Sequence, residues 1–252
     1  MGAVVDLIDK IKRYYKFTPL ELRGLLIAIF VIAFIISFKE WGTASFNLVE
    51  GLFNLFNAVL IVALSLLVND AGKRIWSLAI GYRIEFTMWT FGLLAALGLA
   101  FASNGSLWLI VPGGFMLHHL AGHRLGYFRY GLNYFAQAMI ALAGSLFTLM
   151  LIIFLKFIYA FSPNPLIQKA IIFNIVFAIT SLLPIPPLDG SKIFFGSRML
   201  YAFVLPTFLI ALIMMIIKIS MFLALVFSLL IGVVMWIVYY ISFERKIWSG
   251  PK

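Results

Sequence analysis

Three histidines lie close together in this 252-residue chain, at His118, His119 and His123. His119 and His123 are four apart, the spacing that lets two imidazoles on one helix face share a zinc ion. In a hydrolytic H-E-x-x-H helix the residue after the first histidine is a glutamate that deprotonates the attacking water. Here that residue is Leu120. With Arg124, Tyr127 and Arg129 beside it, the cluster also reads as an interfacial loop or a pH-sensitive surface. A structural zinc site or a haem contact are its other readings.

Two further groups carry polar chemistry into apolar surroundings, where polar side chains are expensive. Asn47, Glu50, Asn54, Asn57 and Ser65 recur at steps that keep them on one helix face. They form either a hydrogen-bonded seam between helices or one wall of a polar cavity, with Glu50 as its ionisable member. Asn174 and Ser181, seven apart, share a face of a later helix and lead into Leu183-Pro184-Ile185-Pro186-Pro187-Leu188-Asp189-Gly190. Three prolines in four positions end that helix, because each lacks an N–H and crowds the preceding turn. The freed backbone must face protein or water. Asp189 then stands at the mouth of an unwound, sheltered segment, as a turn-forming Asp-Gly, a metal ligand or a gate. Glu50, Asn54, Asn57, Asn174 and Ser181 make up the candidate polar cleft.

The elements that must hold these groups are membrane helices. The chain is 64% hydrophobic and only 11% charged, less than half the charged share of a soluble domain. That cannot clothe a water-facing surface of this size. Apolar runs at Leu25–Phe38, Leu48–Val68, Met88–Ala102, Tyr134–Phe161, Ala170–Leu183, Met199–Ile217 and Ser220–Ile241 show no two-residue alternation. Several approach the roughly 20 residues that a helix needs to cross hydrocarbon. The expectation is an all-α polytopic bundle of six to eight transmembrane segments, with no soluble domain and no cleaved leader. Residues 1–22 are a cytoplasmic amphipathic segment, 23–242 the membrane domain and 243–252 a basic tail. Cysteine is absent, which excludes disulfides and thiolate metal sites. The net charge of +10 marks basic cytoplasmic loops rather than a nucleic-acid binder.

With the N-terminus inside and Ser106–Leu117 closing a short hairpin, 15 of the 19 lysines and arginines fall on the cytoplasmic side. Lys39, Lys156, Lys169 and Lys218 fall at the outer ends. The positive-inside rule then places both termini in the cytoplasm. Ser106–Leu117 is too short to span as a helix and holds Pro112-Gly113-Gly114, so eight crossings or six plus a re-entrant hairpin both satisfy the pattern.

The run from Asn174 to Gly190 (NIVFAITSLLPIPPLDG) resembles the signature of the site-2 proteases, intramembrane zinc metalloproteases in which the Asp of an LDG motif is the third zinc ligand. The resemblance puts Asp189 in that position, with Ser181 where the family usually has Asn. Further blocks resemble archaeal members: the run from Phe17 to Ile27, Gly81-Tyr82-Arg83-Ile84-Glu85-Phe86, Pro112-Gly113-Gly114, the run from Arg124 to Tyr134, and Ala141 to Thr148. The last departs from a Gly-Pro-x-x-Asn pattern at Ser145 and Thr148. The likeness covers roughly residues 17–200 and implies a site-2 protease-like core in a prokaryotic plasma membrane.

Two registers compete for the histidine motif of that family. His119 to His123 keeps both histidines but lacks the base, and would give a site of His119, His123 and Asp189. Asn69-Asp70-Ala71-Gly72-Lys73 stands where the family closes its second helix with that motif, just ahead of the Gly-Tyr-x-x-Glu-Phe block. There Asn69 and Lys73 take the histidine positions and Asp70 the glutamate. Asn is a poor zinc ligand and a lysine ammonium repels the metal. The second register is favoured, and it predicts a Lys73–Asp189 ion pair in place of a metal cross-link. The expectation is an inactive protease-like protein without a cofactor that binds, gates or scaffolds membrane-embedded helices. Its partners are the lipid bilayer and transmembrane helices of other proteins. The rivals are an active or partly active zinc metalloprotease, with zinc as cofactor, and a small transporter using Glu50 and Asp189.

Overall fold

Thr18 precedes Pro19 and stands three residues before Glu21, the pattern that caps a helix start twice. In the computed structural model, Glu21 N–H donates to Thr18 Oγ1 (3.2 Å) and Thr18 N–H donates to the Glu21 carboxylate (2.7 Å). Helix α2 (Pro19–Ser37) begins there, after α1 (Gly2–Tyr14). The structure describes residues 2–42, 46–120, 133–217 and 220–245. Asn47 opens α3 (Leu48–Ala79) by accepting from the N–H groups of Val49 and Glu50. Asn133 does the same for α5 (Tyr134–Phe161), and Asn164 accepts from Leu166 N–H to open α6 (Pro165–Ser181). The short α7 (Asp189–Gly196) leads into α8 (Arg198–Ile216) and α9 (Met221–Tyr239), which runs on as a π turn, Tyr240–Glu244.

Among the described residues, five helices are long and apolar enough to cross a membrane: α2, α3, α5, α8 and the last helix with its π turn. The chain is a mostly helical integral membrane protein. Helix α5 coincides with the apolar run Tyr134–Phe161, whereas α3 extends eleven residues past Val68 and α2 begins four residues before position 23. Helices α2, α3, α5 and α6 meet around Ile32, Val62, Ile152 and Phe173, all wholly buried.

One element departs from the all-α expectation. Strands β1 (Tyr82–Met88) and β2 (Gly113–His119) pair antiparallel, with Tyr82 opposite His119 and Met88 opposite Gly113. The cause is local: Tyr82, Ile84, Phe86 and Met88 alternate with Arg83, Glu85 and Thr87, the two-residue period of a strand with one packed face. Ile84 and Phe115 are the buried members of that face. Gly113 has φ +152°, and a Cβ there would lie 2.1 Å from the Thr87 carbonyl oxygen.

Between the strands the chain runs out along α4 (Thr90–Ala102) and returns extended. Its tip lies against the end of α2, where Lys39 Nζ donates to Ser106 Oγ (2.5 Å). Ser106–Leu117 is therefore not a helix. Ile110 and Val111 are buried on the return, and Thr180 Oγ1 donates to the Ile110 carbonyl (2.7 Å). Non-helical backbone among membrane helices has to be sheltered and bonded in this way.

Charged groups gather at two opposite ends of the bundle. Lys169 meets Glu40 at 2.5 Å beside the end of α2. Glu21, Asp70, Lys73, Arg74, Asp189 and Lys192 gather at the other.

Candidate functional site

The last turns of α3 carry Asn69, Asp70, Lys73 and Arg74, all buried. About 20 residues suffice to cross hydrocarbon, so a helix that begins at Leu48 brings these four near the far membrane boundary. Helix α5 packs closely there. A Cβ on Gly144 would come within 2.4 Å of Lys73 Cε, so the missing side chain makes the groove in which the lysine stem lies. From the other side the proline-broken segment turns back on α6. A Cβ on Gly190 would sit 2.1 Å from the Leu182 carbonyl oxygen, and this close approach aims Asp189, first residue of α7, inward.

Lys73 Nζ lies 2.6 Å from Asp189 Oδ2, with the two side chains 10% and 4% exposed. The ion pair expected from the second register is present. Asp189 Oδ1 has no hydrogen-bond partner among the described residues. Asn69 is turned elsewhere: its Nδ2 donates to Thr148 Oγ1 (3.0 Å), which donates in turn to the Gly144 carbonyl (3.1 Å).

Three charged residues that the sequence reading passed over, Glu21, Arg74 and Lys192, complete the site. Arg74 bridges two carboxylates, bonding Asp70 through Nε and Glu21 through Nη2, the latter at 2.5 Å. Glu21 also accepts from Phe86 N–H (2.7 Å), which ties α2, α3 and β1 together. The Phe17 ring covers the guanidinium at 4.0 Å. Lys192 Nζ donates to the Phe115 carbonyl (2.5 Å) and lies 3.3 Å from the centre of the Phe115 ring, while Lys73 Nζ is 5.5 Å from the same ring. Burial lowers the Lys192 amine to about 7; the Lys73 charge adds to this and the Asp189 carboxylate opposes it. The signals for Glu21 and Arg74 were present in Thr18-x-x-Glu21, a capping-box pattern, and in Asp70 and Arg74, four apart on one helix.

A cavity of about 20 Å³ lies among Asn69, Asp70, Lys73, Ser181 and Asp189, room for about one water. The other members of the candidate cleft are not gathered there. Asn54 and Asn57 line a pocket of about 460 Å³ at the opposite end, with Glu40, Trp108, Gln168 and Lys169. Glu50 is exposed in the first turn of α3. Asn174 is buried and donates to the Ala170 carbonyl (2.8 Å). A single polar cleft through the bundle is thus replaced by two separate sites. Twelve residues of helix part Asn57 from Asn69, about 18 Å at 1.5 Å per residue.

His119 ends β2 with its ring 4.9 Å from that of Tyr82, and His118 Nε2 lies 3.4 Å from Glu85 Oε2. Asp189 faces Lys73 rather than this strand end. His123, and with it the other half of the first register, lies outside the described residues. Among the described residues no three His, Asp or Glu side chains gather in a metal-binding group. Comparison with known proteins finds no matching family model, no matching curated protein and no matching solved structure.

Proposed function

We propose that this chain is a catalytically inactive, site-2 protease-like membrane protein that binds, gates or scaffolds membrane-embedded helices. The observation that carries the reading is the buried Lys73–Asp189 ion pair. By the resemblance, Asp189 stands where the family holds its third zinc ligand and Lys73 where it holds a histidine. The donor set does not suit zinc. Asn69 offers an amide that is committed to Thr148, and Lys73 brings a positive charge to the Asp189 carboxylate. Asp70, in the position of the general base, is bound by Arg74.

The surroundings support a binding role on the outside of the bundle. The cavity beside Asp189 takes about one water and leaves no place for a peptide backbone. Helix α9 packs on α8 and leaves Leu223, Leu229, Leu230 and Val234 exposed, a surface that lipid or another helix covers. The division of basic residues supports cytoplasmic termini. The transporter reading is disfavoured by position, since Glu50 and Asp189 belong to opposite ends of the fold.

Cleavage is the test. The full chain, reconstituted with transmembrane substrates, is expected to leave them intact; chelator-sensitive cutting that Asp189→Ala abolishes would establish the active-protease reading instead. For the binding role, a benzophenone carried by Leu230→Cys in native membranes is expected to form discrete adducts with other membrane-spanning proteins. Adducts with lipid alone would remove that role.

A further inference from the structure

Helix α1 presents three different faces, set by its 3.6-residue period. Leu7, Ile11 and Tyr14 form one and are half-buried, on a helix that packs against α3. Asp6, Asp9 and Arg13 form the second and are exposed. Val4 and Ile8, with Val5 at the margin, form the third, and are 65%, 48% and 65% exposed. Nothing in the protein covers this apolar edge among the described residues.

The charges on and beside α1 are unbalanced. Asp6 is paired with Lys10 at 2.6 Å and Asp9 with Arg13 at 3.0 Å, so both carboxylates are matched within the helix. Lys12, Lys16 and Arg23 remain exposed as an excess of positive charge. Lys12 projects between Ile8 and Val5 on the helical wheel, on the flank of the bare edge.

The position of α1 is fixed by its tether. Four residues, Tyr15 to Thr18, join it to α2, and Phe17 lies against buried Arg74 while Thr18 caps α2. Helix α2 has 19 residues, about the thickness of the hydrocarbon layer. Its first turn, and with it α1, therefore lies at the membrane boundary. An amphipathic helix held there, apolar on one edge and basic beside it, has the composition of one that lies in the headgroup plane.

We propose that α1 is an in-plane anchor for an anionic membrane surface: Val4, Val5 and Ile8 enter the boundary between headgroups and acyl chains, and Lys12, Lys16 and Arg23 meet the lipid phosphates. The occupant is lipid because the edge lies on the tethered boundary side of the bundle and its flank is positive. Through Phe17 and Arg74 the anchor is joined directly to the segment of α3 that bears Lys73. This inference stands apart from the proposed function and needs only that the chain is a membrane protein.

The native chain has no cysteine, which allows a clean test in the full protein. Ile8→Cys and Asp9→Cys are labelled separately with an environment-sensitive fluorophore and reconstituted in nanodiscs of phosphatidylcholine with phosphatidylglycerol. The label at position 8 is expected to be quenched by a nitroxide on the acyl chain and several-fold less by aqueous iodide than the label at position 9. In phosphatidylcholine alone, or with Lys12→Glu and Lys16→Glu, iodide access at position 8 is expected to rise several-fold. Equal iodide access at both positions with the anionic lipid overturns the proposal. So does shielding at position 8 from both quenchers, which would mean that protein covers the edge, and so does indifference to lipid charge.

Discussion

Lys73→Met tests the ion pair because methionine keeps the length of the stem in the Gly144 groove and removes only the charge. At 2.6 Å and an effective dielectric constant of about 20, the pair attracts by about 6 kcal/mol. Stripping water from two charges costs several kcal/mol for each, so the net contribution of the intact pair is small. The large effect comes from breaking it. Without Lys73, the Asp189 carboxyl is left buried without its ion-pair partner, with Oδ1 already lacking a hydrogen bond, and a loss of about 3–5 kcal/mol follows. Asp189→Leu leaves the Lys73 ammonium behind at similar cost, and loses in addition about 0.3–1 kcal/mol from an anion in the first turn of α7. The double variant has no orphaned charge of this pair, so its loss is expected to fall short of the sum of the single losses by at least about 2 kcal/mol. Unfolding of the four proteins in detergent micelles, followed by helical circular dichroism, measures this coupling. Losses that add within about 0.5 kcal/mol would refute the reasoning, because they would mean that the two groups do not sense one another.

Arg74→Met strands two carboxylates and is expected to cost about 3–5 kcal/mol, more than Glu21→Gln, which leaves Asp70 on Arg74 and still accepts from one of the two backbone N–H groups; the reverse order in the same unfolding assay would contradict the bridge. The Lys192 amine is about 7 in the folded protein against 10.5 ordinarily, so between those values the unfolded chain holds a proton that the folded chain lacks. Stability should therefore rise with pH from about 7 towards 10, and below 7, where both states hold the proton, the full penalty is present and no longer varies with pH; Lys192→Met should flatten that rise in the thermal midpoint, and equal slopes would remove Lys192 as its source. Single cysteines at Lys10 and Arg83 should be shielded from an impermeant thiol reagent in sealed, right-side-out vesicles, while a cysteine at Lys39 should react; labelling of Arg83→Cys from outside would reject the orientation.

What could be read from the chain was mostly what depends on neighbouring residues. The bounds of α5 follow from an uninterrupted apolar run after Asn133, and the break before Asp189 from three prolines. The meeting of Lys73 with Asp189 was legible because resemblance and charge orientation independently put both at one membrane depth. The strands were hidden in plain sight: Tyr82–Met88 alternates, but it lies between the apolar runs Leu48–Val68 and Met88–Ala102 and reads as a cytoplasmic connection between membrane segments. The polar face of α3 was correctly periodic, yet periodicity says nothing of distance along the axis, and the helix carries Asn57 and Asn69 to separate sites. The pairing of Arg74 with Asp70 was legible as a four-residue step, but its second partner, Glu21, is 53 residues away and only the tertiary fold brings it close. The link from Lys192 to the Phe115 carbonyl requires a strand whose position only the tertiary fold supplies.

Zinc content tests the central claim most directly. The full chain, purified in detergent, exposed to zinc and desalted, is compared by elemental analysis with Asp189→Ala and His119→Ala. With the Lys73 ammonium on Asp189, the native chain should retain no more zinc than the Asp189→Ala variant. One equivalent of zinc per chain, lost in Asp189→Ala, would contradict the ion-paired site, and its further loss in His119→Ala would assign the metal to the histidine register.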